Sequence, residues 1–133
     1  MPLKALIVLG LATCFLPGCK DQSNPVYGDS PSNIVFPTRD VSYQTHVQPL
    51  FDQACNSVSC HGEGSHPSPL KLTDWGNTVL MTPGVVVIGK PDASTLVLRI
   101  QGNGGIMPRT GNPLNQNQIN GIRTWIVEGA KNN

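Results

Sequence analysis

Cys55-Asn56-Ser57-Val58-Ser59-Cys60-His61 is the stretch of this chain with the clearest chemical capability. Two thiols followed directly by an imidazole can attach a c-type haem. The sulfurs add across the two vinyl groups, and the adjacent histidine is delivered to one axial face of the iron. The usual interval between the cysteines is two residues, whereas here it is four. Two extra residues must therefore bulge out, and Asn56, Ser57 and Ser59 are of turn-tolerant types. His61 is the expected proximal ligand because of its position beside Cys60.

A sixth ligand has to come from elsewhere. Met107, in Gly105-Ile106-Met107-Pro108, is the leading candidate. A thioether is soft, suits ferrous iron, and with histidine raises the reduction potential. Pro108 holds the backbone extended there. The plain alternative for Met107 is a core methionine. His66, on the Gly/Ser/Pro-rich stretch after His61, is the rival sixth ligand, and bis-histidine ligation would lower the potential. His46 reads as a solvated surface residue. Arg99, Arg109 and Lys71 are possible partners for haem propionates, with surface placement the default for each.

The same residues support two haem-free readings. Cys55 and Cys60 can form a disulfide in an oxidising compartment, making the chain a stapled binding or structural lipoprotein domain. Cys55, Cys60, His61 and His66 supply the number and kind of ligands for tetrahedral zinc, although all four crowd into one loop. A peroxidase-like enzyme would need Met107 displaced, and no catalytic group accompanies the motif. The chain is expected not to be an enzyme.

The start of the chain reads as a targeting segment. Lys4 precedes a short apolar run from Ala5 to Ala12, too short to span a bilayer. Leu16-Pro17-Gly18-Cys19 resembles the bacterial lipobox, in which the cysteine is lipidated and becomes the first mature residue. This predicts a signal peptide over 1–18 and a lipid on Cys19, with plain secretion as the alternative. Cys14 leaves with the signal, so Cys55 and Cys60 are the thiols of the mature domain. Residues 19–39 are rich in Ser, Asn, Pro and Asp and read as a tether; a flexible coil of roughly 20 residues spans about 25 Å. Acyl chains at Cys19 would anchor the protein to a membrane, at the periplasmic or outer surface of a bacterial envelope.

The domain expected over 40–133 must position these groups with short helices. Ser42 is a candidate cap for a helix to Gln53, with Tyr43, Val47, Leu50 and Phe51 on one face and Pro49 as an interior kink. Asp74 is placed to cap a short helix to Leu80 that carries Trp75. Val85-Val86-Val87-Ile88 has no second run to pair with and reads as an extended apolar segment on the core. Asp92 is expected to cap a helix to about Ile100, ended by Gly102-Asn103-Gly104-Gly105. That glycine run is not a phosphate cradle, since no strand leads in. Asn115 and Gln118 make a capping box, Leu114 and Ile119 a hydrophobic staple, and Ile119, Ile122, Trp125 and Ile126 trace one face ending at Gly129.

Composition agrees with a thin core needing a cofactor. The chain has 133 residues, 14 Gly, 12 Pro and 5% aromatics, and so small a domain usually recruits a metal, disulfide or buried group for stability. Net charge is +1 with no basic runs, which excludes nucleic acid as a partner.

The segment Val47-Gln48-Pro49-Leu50-Phe51 followed by Cys55 to His61-Gly62 resembles the "V-x-P-I-F…C-x-x-C-H-G" opening of small bacterial class I cytochromes c, planctomycete-type domains in particular. Met107-Pro108 with Gly111, Leu114, Ile119, Ile122, Trp125-Ile126 and Gly129-Ala130 is similar to that family's "M-P-x-x-G-x-x-L…I-x-x-I-x-x-W-I-x-x-G-A" ending. The two matches come in the expected order and bracket nearly the whole mature domain. The resemblance implies an all-α cytochrome c-like fold around one covalent haem c. It carries over Cys55 and Cys60 as thioether positions, His61 as proximal ligand and Met107 as distal ligand. The implied function is single-electron transfer at the membrane surface, with other redox proteins as transient partners.

Overall fold

A computed structural model describes residues 33–64, 69–109 and 113–133. The expected signal segment 1–18, Cys19, most of the tether and His66 lie outside the described residues. A π-helical turn, Tyr43–Val47, runs into α1 (Gln48–Ala54). Then come α2 (Trp75–Val79), a 3₁₀ turn at Pro91–Ala93, α3 (Thr95–Ile100) and α4 (Gln116–Val127). No strand occurs among the described residues, so the expected all-α class holds. Among them, too, no helix is long and apolar enough to cross a membrane.

The first helical segment begins where expected but is built differently. Ser42 caps it, its hydroxyl accepting from the Thr45 N–H at 3.1 Å. Pro49 does not kink one continuous helix; it sits in the first turn of α1, where a missing N–H costs little. The wider π-helical turn ahead of it ends with the Gln48 N–H reaching back to the Tyr43 carbonyl. Tyr43, Val47, Leu50 and Phe51 are all buried, as their spacing predicts.

α4 is the central packing element. Asn115 accepts from the Gln118 N–H at 3.0 Å, and Gln118 Oε1 accepts from the Asn115 N–H at 3.1 Å, completing the capping box. At the other end Ala130 N donates to Trp125 O and Gly129 N to Ile126 O, the paired bonds of a Schellman motif with Gly129 at φ +105°. Ile119, Ile122, Trp125 and Ile126 are buried. The Trp125 ring lies tilted against Tyr43 at 5.4 Å between centroids, joining the first and last helical segments.

Two expectations about boundaries are corrected. Ile34 to Phe36 belong to the folded body rather than the tether. Phe36 is buried, its N–H donates to Asn117 Oδ1 at 2.8 Å, and Asn117 Nδ2 returns a bond to the Phe36 carbonyl at 3.0 Å. Gly121 lies beneath that ring, since a Cβ there would overlap Phe36 Cβ, Cγ and Cδ1. Asp92, expected as a helix cap, instead lies in the 3₁₀ turn and pairs with Arg123 at 2.7 Å. Ser94 precedes α3, and its hydroxyl is spent on the loop before it, donating to Lys90 O and accepting from Val87 N. Pro91 explains the shift, because its fixed φ favours a tight turn starting one residue before Asp92.

The Val85–Ile88 segment forms no strand. Val85 and Val86 are buried while Ile88 is exposed, and Leu96 N donates back to Val85 O at 3.0 Å. α2 is capped as expected, with Asp74 Oδ1 accepting from the Asn77 N–H at 2.9 Å.

Candidate functional site

The Cys55–His61 loop leaves α1 through two backbone bonds, Cys55 N and Asn56 N both donating to Phe51 O at 2.8 Å. The four residues between the cysteines put Ser57, Val58 and Ser59 at the surface. They close a compact turn: Cys60 N and Gly62 N donate to Ser57 O at 2.9 and 3.2 Å, and His61 N donates to Cys55 O at 3.1 Å. Val58, at the tip, is 68% exposed. The chain leaving the loop passes directly under the insert. A Cβ on Gly62 would overlap the Asn56 carbonyl oxygen, and one on Gly64 would lie 2.8 Å from Val58 Cγ1. Gly62 and Gly64 are thus what the longer spacing requires, a role that only the fold reveals.

The loop brings Cys55, Cys60 and His61 together at the edge of the core. Both cysteines are free thiols and half-buried, and Cys55 packs against the hydrophobic cluster. Burial, with Cys60 adding repulsion, pushes the Cys55 thiol up to about 12. Burial thus favours its S–H form.

His61 is held by the segment that follows the loop. Its Nδ1 lies 3.0 Å from the Leu70 carbonyl oxygen, and Leu72 N donates to His61 O at 2.9 Å. A carbonyl only accepts, so Nδ1 carries the hydrogen and the neutral ring keeps its lone pair on Nε2. Metal-binding histidines show this outer-shell arrangement, which fixes both tautomer and ring orientation.

Met107 sits on a separate loop that is held independently. The Arg99 carbonyl at the end of α3 accepts from Gly102 N at 3.2 Å and from Met107 N at 3.0 Å. Gly102, Gly104 and Gly105 all take positive φ between these two anchors. Met107 is half-buried while Ile106 and Arg109 beside it are exposed. The structure therefore gathers three of the four expected site residues, Cys55, Cys60 and His61, into one turn and carries the fourth, Met107, on the loop after α3.

The basic residues divide. Lys71 is paired with Glu63 at 2.6 Å, whereas Arg99 and Arg109 are exposed. His46 is corrected: it is half-buried, its Nδ1 accepts from the Ser42 N–H at 3.1 Å, and its ring lies 5.8 Å from that of Phe36. Its structural role escapes sequence reading because Phe36 was assigned to the tether. A groove of about 320 Å³ between Tyr43, Gln48, Asp74, Trp75 and Asn132 contains none of the expected site residues.

Among the described residues no group of three or more His, Cys, Asp and Glu side chains is placed to hold a metal ion. The four-ligand zinc set would need His66, which lies outside them. The chain's donors do suit a covalent haem: two free thiols in one turn, an imidazole whose Nδ1 faces the Leu70 carbonyl, and a thioether on the loop after α3. No family model, curated protein or solved structure matches the chain.

Proposed function

We propose that the chain is a monohaem c-type cytochrome of cytochrome c-like fold that carries single electrons between redox proteins. The observation that carries this reading is the Cys55–His61 turn, with His61 held through Nδ1 by the Leu70 carbonyl. Cys55 and Cys60 would hold the haem through thioethers, with His61 Nε2 and Met107 Sδ as axial donors. The haem supplies one-electron exchange between ferrous and ferric iron. The chain's part is to orient and insulate. The Leu70 carbonyl holds His61 in one tautomer, Phe51 and the core wall off one side of Cys55, and the Arg99 carbonyl anchors the Met107 loop. No acid, base or nucleophile is involved, so the protein acts as a carrier rather than an enzyme. With a net charge of +1, docking with redox partners is transient and weakly steered. A lipid on Cys19 would keep the carrier at the periplasmic or outer membrane surface.

The test is an absorption spectrum and intact mass of protein matured in a periplasm with haem-attachment machinery. The proposal expects a reducible Soret band and a haem mass that survives denaturation. Colourless protein lighter by two hydrogens would instead establish the Cys55–Cys60 disulfide. Colourless protein that unfolds on chelation would establish zinc.

A further inference from the structure

We propose that Asn103–Gly104 is a site of spontaneous deamidation on the loop that carries Met107, producing a carboxylate at the residue before the glycine that the Arg99 guanidinium lies against. The chain contains two Asn-Gly pairs, Asn103-Gly104 and Asn120-Gly121, and the fold treats them in opposite ways.

The reaction is a ring closure. The Gly104 backbone nitrogen attacks Asn103 Cγ, the new C–N bond closes a five-membered succinimide, and the Cγ–Nδ2 bond breaks to release ammonia. Water then opens the ring at either carbonyl, giving aspartate or isoaspartate and one additional negative charge. Glycine at the second position favours this because it has no Cβ to obstruct the attack. The peptide nitrogen must also be able to leave its resting geometry.

Asn103 and Gly104 are both exposed, between the end of α3 and Met107, in a turn whose glycines at 102, 104 and 105 have φ of 88°, 81° and 98°. Asn120-Gly121 lies inside α4, where the Gly121 N–H is committed to the helical bond. Gly121 is buried beneath Phe36, and Asn120 Oδ1 accepts from Gln116 Nε2 at 2.8 Å. Ring closure there requires the helix to open first.

The location gives the modification a consequence. A Cβ built on Gly104 would lie 3.2 Å from Arg99 Nη1, so the charge appears on the residue just before the one that the guanidinium lies against. The modified residue also lies between the two anchors on the Arg99 carbonyl, Gly102 N and Met107 N. Isoaspartate routes the main chain through the side-chain methylene and lengthens that span, slackening the hold on Met107. This consequence rests on Met107 being an iron ligand; the deamidation itself does not.

The experiment incubates the full mature chain in mildly alkaline buffer at physiological temperature and follows both sites by peptide mapping. The acid forms are expected at Asn103 at least about tenfold faster than at Asn120, since exposed turns open far more often than helix interiors. In denaturant the two rates should converge, and Asn103→Gln should abolish the faster conversion. Equal rates in the folded protein, or an unconverted Asn103 when Asn120 of the denatured chain has reacted, would overturn the proposal. In haem-loaded material the iron–sulfur charge-transfer band should fall in step with conversion; a band unchanged at full conversion overturns the effect on Met107. Protein without haem would refute the proposed function while leaving the mapping result to decide the deamidation.

Discussion

A single proton position on His61 decides whether its ring can serve as an axial donor. Because Nδ1 gives its hydrogen to the Leu70 carbonyl, the imidazole needs no tautomer change to offer Nε2. Among the described residues Met107 is held through its backbone N–H, which does not orient its sulfur, so its ligand role must be tested directly. Met107→Ala is expected to abolish the iron–sulfur charge-transfer band. It should also lower the reduction potential by about 100 mV or more, part of the ~0.8 V range over which axial ligands set haem potentials. His66→Ala should leave both unchanged, and spectroelectrochemistry of the two variants separates the rivals. A second residue-scale expectation concerns Gly62. Its missing Cβ is what lets the Asn56 carbonyl fold over the chain. Gly62→Ala should therefore cost about 1–3 kcal/mol through overpacking, read as a lower urea midpoint. It should also reduce haem incorporation, because the displaced segment is the one that carries His61.

At the scale of elements, α4 illustrates when a helical glycine is better than alanine. Gly121→Ala would gain up to about 1 kcal/mol in helix propensity. The added methyl, however, must displace the base of the Phe36 side chain, which has no rotamer escape. A net loss of roughly 1–3 kcal/mol is expected, measured by urea unfolding, and Phe36→Ala in the same chain should relieve only part of the clash, since it keeps the Cβ that the added methyl would overlap. α2 provides a pH signature. The Asn77 backbone N–H, and further bonds to its cap, hold the Asp74 carboxyl below its ordinary value of 3.8. A depressed carboxyl stabilises the fold above its unfolded value and loses that contribution as pH falls through the folded one. Asp74→Ala should therefore be less stable than the parent at about pH 7, and the gap should narrow by about pH 3.

These elements also show what a sequence can reveal. α4 was legible because its capping box and staple lie within a few residues of one another, so local chemistry determines its start. That Cys55, Cys60 and His61 share one turn was legible for the same reason, since they are near neighbours in the chain. Asp92 misled because Asp92 and Ser94 are both capping types and only the Pro91 turn separates their roles. Gly121, Phe36 and His46 were illegible because each owes its role to a partner brought close only by folding. Phe36 meets Asn117 across 81 positions, and nothing in the polar composition around Ile34–Phe36 announces that contact. The need for glycine at 62 and 64 beneath the insert between the cysteines was illegible likewise, since both act through space.

For the whole molecule, the segment before the first helix is tied to the one after the last. Glu128, at the C-cap of α4, accepts from Asp40 N through Oε1 at 2.7 Å and from Val41 N through Oε2 at 2.9 Å. Asp40 takes φ +55° so that both N–H groups point at one carboxylate. Asn133 complements this at the start of the first helical turn, its Oδ1 accepting from Tyr43 N and its carbonyl from Gln44 N and Ser42 Oγ. Trp75 Nε1 donates to Ala130 O at 2.7 Å and draws α2 to the same junction. In a chain with so few aromatics, this polar clasp supports a core of limited size. It also holds α1, and therefore the turn it feeds, against α4. Hydrogen bonds to a charged group contribute about 1.5–3 kcal/mol each, and the half-exposed setting of Glu128 lowers that figure. Glu128→Ala is thus expected to cost about 1–3 kcal/mol, while Glu128→Gln, which retains one acceptor, should cost less. Urea titrations should show the midpoint falling in that order with an unchanged slope, as for loss of stability without a change in the surface exposed. Hydrogen exchange should locate the loss first at Asp40 and Val41, because theirs are the amides that Glu128 holds.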